Sequence, residues 1–141
     1  MDKKTETFLN ELRNLNNYKH RLKELEDKLD TLFYNLTGVK AVRYDLVKGM
    51  SDYQQIELIK LGKIDEYNGQ KEVIDKEISR LKSNISYIET VLNKMEPSIK
   101  EACIQIYCHN KTYKQVASTM FISSSALYKK VENEIKKVKN Y

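Results

Sequence analysis

Two stretches of this chain repeat apolar residues with a period of seven, and that repeat leaves little choice of fold. Over residues 5–36, Phe8, Leu15, Leu22, Leu29 and Leu36 recur every seven places. Glu11, Tyr18, Leu25 and Leu32 follow the first four at a distance of three, and Leu12 and Phe33 widen the stripe. The second stretch runs through Tyr67, Lys71, Ile74, Ile78, Leu81, Ile85, Ile88, Leu92 and Met95 in alternating steps of four and three. Ile56, Ile59 and Ile64 extend it backwards less regularly. Steps averaging 3.5 keep every such residue on one face of an α-helix, whereas a strand would send them to alternate faces. Breakers are sparse: four Gly and one Pro in 141 residues. The expected class is all-α, built on two long heptad helices.

At about 1.5 Å per residue the first helix is expected to be about 48 Å long and the second, over 52–95, about 65 Å. Neither can bury its stripe alone. They are expected to pair as a coiled-coil hairpin across a connector at 37–50. The longer helix then has stripe to spare, which calls for a C-terminal module or a second subunit. Leu15, Leu22, Leu25, Leu29, Ile74, Ile78, Leu81, Ile85 and Ile88 are therefore assigned to oligomerisation, as a homodimer or higher homo-oligomer. Lys71, at a core-type position, is expected to snorkel or, second, to set the register. The connector carries two Gly and several β-branched residues. It is too apolar for a flexible linker and is expected to be structured, with a short extended piece at 39–42. Ser51 followed by Gln54 is a capping-box pattern that starts the second helix. Gly62 and Gly69 are its weak points, each costing ~1 kcal/mol against Ala. Asn68-Gly69 has turn character, but the heptad passes from Tyr67 to Ile74 without slipping. A continuous or kinked helix is expected.

Charge divides the chain at Pro97. Residues 1–96 hold 17 Lys/Arg and 17 Asp/Glu. Residues 97–141 hold 8 Lys and 3 Glu, and so carry the whole net charge of +5. A neutral body with a basic end fits one part for assembly, 1–96, and one for a polyanion, 97–141. Pro97 suits the first turn of a helix, where its missing N–H costs little.

The basic end has the punctuation of a three-helix helix-turn-helix module. A first helix over 97–109 turns Ile99, Cys103, Ile106 and Tyr107 inward. Asn110, which tolerates left-handed backbone, ends it. Thr112 followed by Gln115 is a second capping box and opens the next helix, with Val116 and Ala117 inward and its end near Thr119. Met120-Phe121-Ile122 forms the turn, and Ser123 caps a third helix whose inward stripe is Leu127, Val131, Ile135 and Val138. Ser124, Ser125, Tyr128, Lys129 and Glu132 lie on or near the opposite side. A helix that opens with small hydroxyl residues and then carries Lys suits the major groove of double-stranded DNA: its first turns approach base edges while lysines meet phosphates. Ser124, Ser125, Tyr128 and Lys129 are the expected base readers. Lys111, Thr112, Tyr113, Lys114, Lys130, Lys136 and Lys137 are the expected phosphate contacts.

Residues 92–131 resemble the sigma-factor region 4 type of helix-turn-helix. The resemblance rests on Met95, Pro97, Ile106-Tyr107, Asn110, Thr112-Tyr113, Val116-Ala117, Met120, Ile122-Ser123, Ser125, Leu127-Tyr128 and Lys129-Lys130-Val131, which keep that pattern's order. With the two heptad helices and the segment Tyr34-Asn-Leu-Thr-Gly-Val-Lys-Ala-Val-Arg-Tyr-Asp45, the chain resembles small bacteriophage and prophage regulators of the ArpU/RinA type. That resemblance implies promoter binding, activation of transcription of phage genes, and a place in the cytoplasm of a bacterial host. Two departures stand out. Phe121 occupies the turn position where the pattern has Gly, so a rebuilt or opened turn is expected. No Arg follows Arg80, so the Arg–guanine contact has no donor in the module. Base reading then falls to the four residues above or to DNA shape, with weak affinity per module and two modules needed on one site.

Other classes have less to stand on. Met-Asp-Lys-Lys-Thr-Glu at the start has no apolar signal-peptide region, and no run of about 18 apolar residues offers a membrane span. Cys103 and Cys108, five apart in one helix, face differently and are expected to stay reduced. His20 and His109 sit in unrelated segments, Cys108-His109 lacks metal-ligand spacing, and no Gly-rich phosphate loop or nucleophile constellation exists. No metal, cofactor, small-molecule substrate or enzymatic activity is expected. Two alternatives remain: a structural or adaptor coiled coil, and a sigma-like factor whose partner is RNA polymerase.

Overall fold

The computed structural model describes residues 1–38 and 52–139, and every regular element among them is helical. In chain order these are α1 (Lys3–Arg13), α2 (Leu15–Thr37), α3 (Asp52–Lys60), α4 (Ile64–Asn93), α5 (Pro97–Cys103) continued by a π turn at Ile104–Cys108, α6 (Tyr113–Thr119) and α7 (Ser124–Lys139). The expected connector beyond Gly38, its extended piece at 39–42 and the cap at Ser51 lie outside the described residues.

Each of the two long helices is cut once. The first is interrupted at Asn14, whose N–H bonds to Glu11 O at 3.0 Å and whose side-chain amide donates to Asn10 O at 3.1 Å. Asn competes for local backbone partners in this way, and the run Asn14-Leu-Asn-Asn17 supplies little helix propensity to resist it. The second is cut at Gly62, not at Gly69. Gly62 takes φ +68°, its N–H bonds to Ile59 O at 3.1 Å, and Lys63 N–H reaches back to Leu58 O at 2.8 Å. That is a Schellman stop, and it closes α3. Gly69 stays inside α4, through which the heptad runs unbroken.

The chain forms two compact units. One comprises Met1–Lys19 and Ser83–Tyr141, the other His20–Lys82. The contiguous division at 96/97 expected from charge does not coincide with them: α1 belongs with α5–α7. In the first unit Phe8, Leu12, Ile88, Cys103, Leu127, Val131 and Ile135 are fully buried. Each large apolar side chain so buried contributes roughly 1.5–3 kcal/mol. In the second, Leu25, Leu32, Leu58, Tyr67, Ile74, Ile78 and Leu81 are buried. Ion pairs join α2 to α4 in each: Lys19–Glu89 at 3.1 Å in the first, Arg21–Glu77 at 3.4 Å in the second.

The oligomerisation residues need correction on this point. Leu15, Leu25, Ile74, Ile78, Leu81, Ile85 and Ile88 are all buried within a single chain, and Leu22 and Leu29 are half-buried. The stripe of α4 is covered from Tyr67 to Met95 except at Lys71, which pairs with Asp75 at 2.8 Å. Among the described residues, the stripe of α4 therefore leaves no surplus. Ile56 and Ile59, read as a backward extension of that stripe, are exposed.

Candidate nucleic-acid interface

Residues 97–139 form three short helices, and each junction follows from a local chemical signal. Pro97 stands first in α5, after Glu96, whose N–H is bound by the Glu134 carboxylate at 2.9 Å. The helix widens at Ile104–Cys108, where His109 N–H bonds five residues back to Ile104 O at 3.1 Å. Asn110 then takes φ +58° and ends it. Ile99, Cys103, Ile106 and Tyr107 are all buried, as their spacing requires. The Thr112 capping box is complete: Gln115 N–H donates to Thr112 Oγ1 at 3.1 Å and Thr112 N–H to Gln115 Oε1 at 3.0 Å.

The turn after α6 is not rebuilt. Phe121 itself takes φ +59°. Its N–H bonds to Ser118 O at 3.3 Å, and Ile122 N–H reaches Ala117 O at 3.1 Å. This is the same Schellman stop as at Gly62, made with a side chain that disfavours it. Phe121 gains no burial in exchange; it is 95% exposed. Ser123 Oγ accepts from Ala126 N–H at 3.1 Å and starts α7. Leu127, Val131, Ile135 and Val138 face the core.

This frame brings Ser124, Ser125, Tyr128 and Lys129 together on the first two turns of α7, all exposed. Lys111, Thr112 and Lys114 are exposed around the start of α6, and Lys130 and Lys137 are exposed on α7. Two expected phosphate contacts are otherwise engaged. Tyr113 is half-buried, and its hydroxyl pairs with that of Tyr107. Burial, then that hydrogen bond, push its ionisation far above the usual phenol range. Lys136 pairs with Glu132 at 2.8 Å and lies 3.9 Å from Asp2. The hydrogen bond to Lys136 holds the Glu132 carboxyl below its ordinary value.

An aromatic chain runs beneath the patch. Tyr107 and Tyr113 meet edge to face at 6.1 Å, and Tyr113 and Tyr128 lie tilted against each other at 5.6 Å. The Arg13 guanidinium lies over the Tyr107 ring, 5.1 Å from its centre. Further bonds tie the N-terminal helices to this region: Asn16 Nδ2 donates to Cys108 O at 3.1 Å, and Lys139 Nζ to Lys4 O at 3.3 Å. Sequence reasoning missed Arg13. The module contains no arginine of its own, and nothing local announces that one arrives from a position 94 residues before Tyr107.

A cleft of about 420 Å³ opens between α5 and α6, lined in part by Glu101, Gln105, Lys111, Gln115 and Met120. Ser98 also lines it, and its hydroxyl donates to the Glu96 carboxylate at 2.9 Å. His20 bonds to Glu24 at 2.8 Å and is exposed, as is His109. Among the described residues no three His, Cys, Asp or Glu side chains converge as a metal site, and no helix is long and apolar enough to cross a membrane. Comparison with protein-family models, with curated proteins and with solved structures finds no match for this chain.

Proposed function

We propose that the chain is a transcriptional regulator that binds double-stranded DNA through α5–α7, with α6 and α7 acting as a helix-turn-helix and α7 entering the major groove. The observation that carries this is the exposed patch Ser124, Ser125, Tyr128 and Lys129 at the start of α7, in the segment that holds all of the net charge. Small hydroxyls let the helix approach base edges, and Lys111, Lys114, Lys130 and Lys137 flank the patch as phosphate partners. Arg13 adds the guanidinium that the module lacks, carried in on α1. In this reading α2 and α4 are the legs of a coiled-coil hairpin, supported by the Lys19–Glu89 and Arg21–Glu77 pairs. Two copies acting on one site compensate for weak binding by each, and activation of phage genes is the role that the sequence resemblance favours.

The test is a gel shift on DNA flanking its own gene at two salt concentrations. A folded chain should retard selected fragments, with affinity falling steeply as salt rises, since each phosphate contact releases counterions. Lys129→Ala should weaken specific binding. Ser125→Glu should abolish site preference and leave the helical signal intact. A folded chain that binds no fragment at low salt moves the function to an adaptor coiled coil. A second reading, a sigma-like contact with RNA polymerase, is favoured by Phe121: an exposed ring on the turn suits a protein surface better than a phosphate.

A further inference from the structure

The two faces of α3 do not match an ordinary surface helix. Leu58 is fully buried. Tyr53, Ile56 and Ile59, three residues apart in an arc centred on Ile56 and opposite Leu58 at its middle, are 68, 50 and 56% exposed. An amphipathic helix spends its apolar residues on one face and charges on the other. Here the outer arc of a nine-residue helix carries three large apolar side chains with the exposed Asp52 and Lys60 set among them, in a chain that is 32% charged.

We propose that this face of α3 is where two copies of the chain pair, the helices running antiparallel and centred on Ile56. A two-fold interface must be complementary to itself. Antiparallel pairing about Ile56 sets Ile56 against Ile56 and Tyr53 against Ile59 of the second copy. At the same level it sets Asp52 beside the second copy's Lys60, and by symmetry does so at both ends. The Lys60 pairing with Glu57 of its own helix is long, 3.9 Å, and yields readily to a partner. A lipid surface is a poorer occupant, because a membrane-lying helix carries several Lys or Arg along its polar face and α3 carries Lys60 alone against Asp52 and Glu57. Seven of the nine heptad residues assigned to joining two chains are buried inside one, and Leu22 and Leu29 are half-buried there. Three apolar side chains a side make a small interface, so the dimer forms and dissociates with concentration.

This inference supplies the second copy that the DNA-binding reading calls for, and the two fail separately. The mass of the full chain is measured by sedimentation over roughly 1 to 200 μM, the range a small interface reaches. Wild type should pass from monomer to dimer. Ile56→Glu should remain monomeric, its dissociation constant raised about tenfold or more, with melting temperature unchanged. Asp52→Lys and Lys60→Asp should each pair poorly alone and form a one-to-one heterodimer on mixing, because only the mixture restores opposite charges at both ends. An Ile56→Glu variant that dimerises like wild type overturns the proposal. So does a wild-type chain that stays monomeric while Ile56→Glu lowers its melting temperature, which means the face is covered within one chain. Dimers that bind no DNA sink the regulator and leave this interface standing; a monomer that binds DNA does the reverse.

Discussion

The Tyr128 ring leans on the ring of Tyr113, centres 5.6 Å apart and planes tilted by 53°. Tyr113 is anchored in turn through its hydroxyl to Tyr107. A residue expected to touch phosphate thus serves as a prop beneath one expected to touch bases. Tyr113→Ala should cost about 2–4 kcal/mol, near the range for losing a buried aromatic, read from the urea midpoint. Tyr113→Phe keeps the prop and loses only the hydroxyl pairing, about 1 kcal/mol. Equal losses would show that the hydroxyl, not the ring, carries the arrangement.

Phe121 holds a left-handed backbone with almost all of its side chain in solvent. Phe121→Gly should relieve the roughly 1–2 kcal/mol that an L-residue loses there, less what glycine's extra freedom costs the folded state. A net gain of up to about 1 kcal/mol is expected, seen as a rise of a few degrees in a thermal melt, with Phe121→Ala close to neutral. A fall in melting temperature for the glycine variant would place the ring in contact with something in solution.

Gly62 and Gly69 make an opposed pair. Neither has an atom within 4 Å of where a Cβ would stand, so space decides nothing. At Gly62, φ is +68°, and Gly62→Ala should destabilise by about 1–2 kcal/mol. Gly69 lies inside α4, and Gly69→Ala should stabilise by about 1 kcal/mol. Chemical denaturation of the two variants side by side checks the signs.

Burial pushes the Cys103 thiol up to about 12 from an ordinary value near 9.0. Below pH 9 folded and unfolded chains both keep this proton, and its contribution to stability is complete. Between 9 and about 12 only the unfolded chain gives the proton up, so stability falls with rising pH across that window. Urea midpoints at stepped alkaline pH should decline, and decline less in Cys103→Ala. Half-buried Cys108 should alkylate first in the native chain, with Cys103 protected until unfolding.

What periodicity can register was legible in the sequence. The stripe of α4, the inward faces of α5 to α7, the Thr112 cap and the left-handed Asn110 follow from side-chain spacing or from the habits of single residues. The breaks are another matter. A heptad counts side chains and is blind to the backbone between them, so Asn14 and Gly62 interrupt helices whose patterns run on. Gly62 and Gly69 differ in backbone conformation, which one letter does not encode. The packing of α1 with α5–α7 joins positions more than ninety residues apart, as Arg13 over Tyr107 illustrates, and no local window contains it. The apolar outer face of α3 was misread because Ile56 and Ile59 looked like a fading end of the next stripe. At Phe121 a rebuilt or opened turn was expected; the left-handed stop is kept instead, with Ile122 N–H bonded to Ala117 O.

The π turn at Ile104–Cys108 has a genetic corollary. A turn closed by five-residue bonds accommodates one residue more than an α-helix uses. Loss of one residue from this stretch is therefore expected to be tolerated better than elsewhere in the module, provided that the buried Ile106 and Tyr107 are kept. Removing one lets the turn tighten into ordinary α form, while the same deletion inside α6 or α7 would swing every later side chain of that helix by about 100°. In a scan of single-residue deletions along the last third of the chain, 104–108 is the helical stretch where the helical signal and melting temperature are expected to survive best.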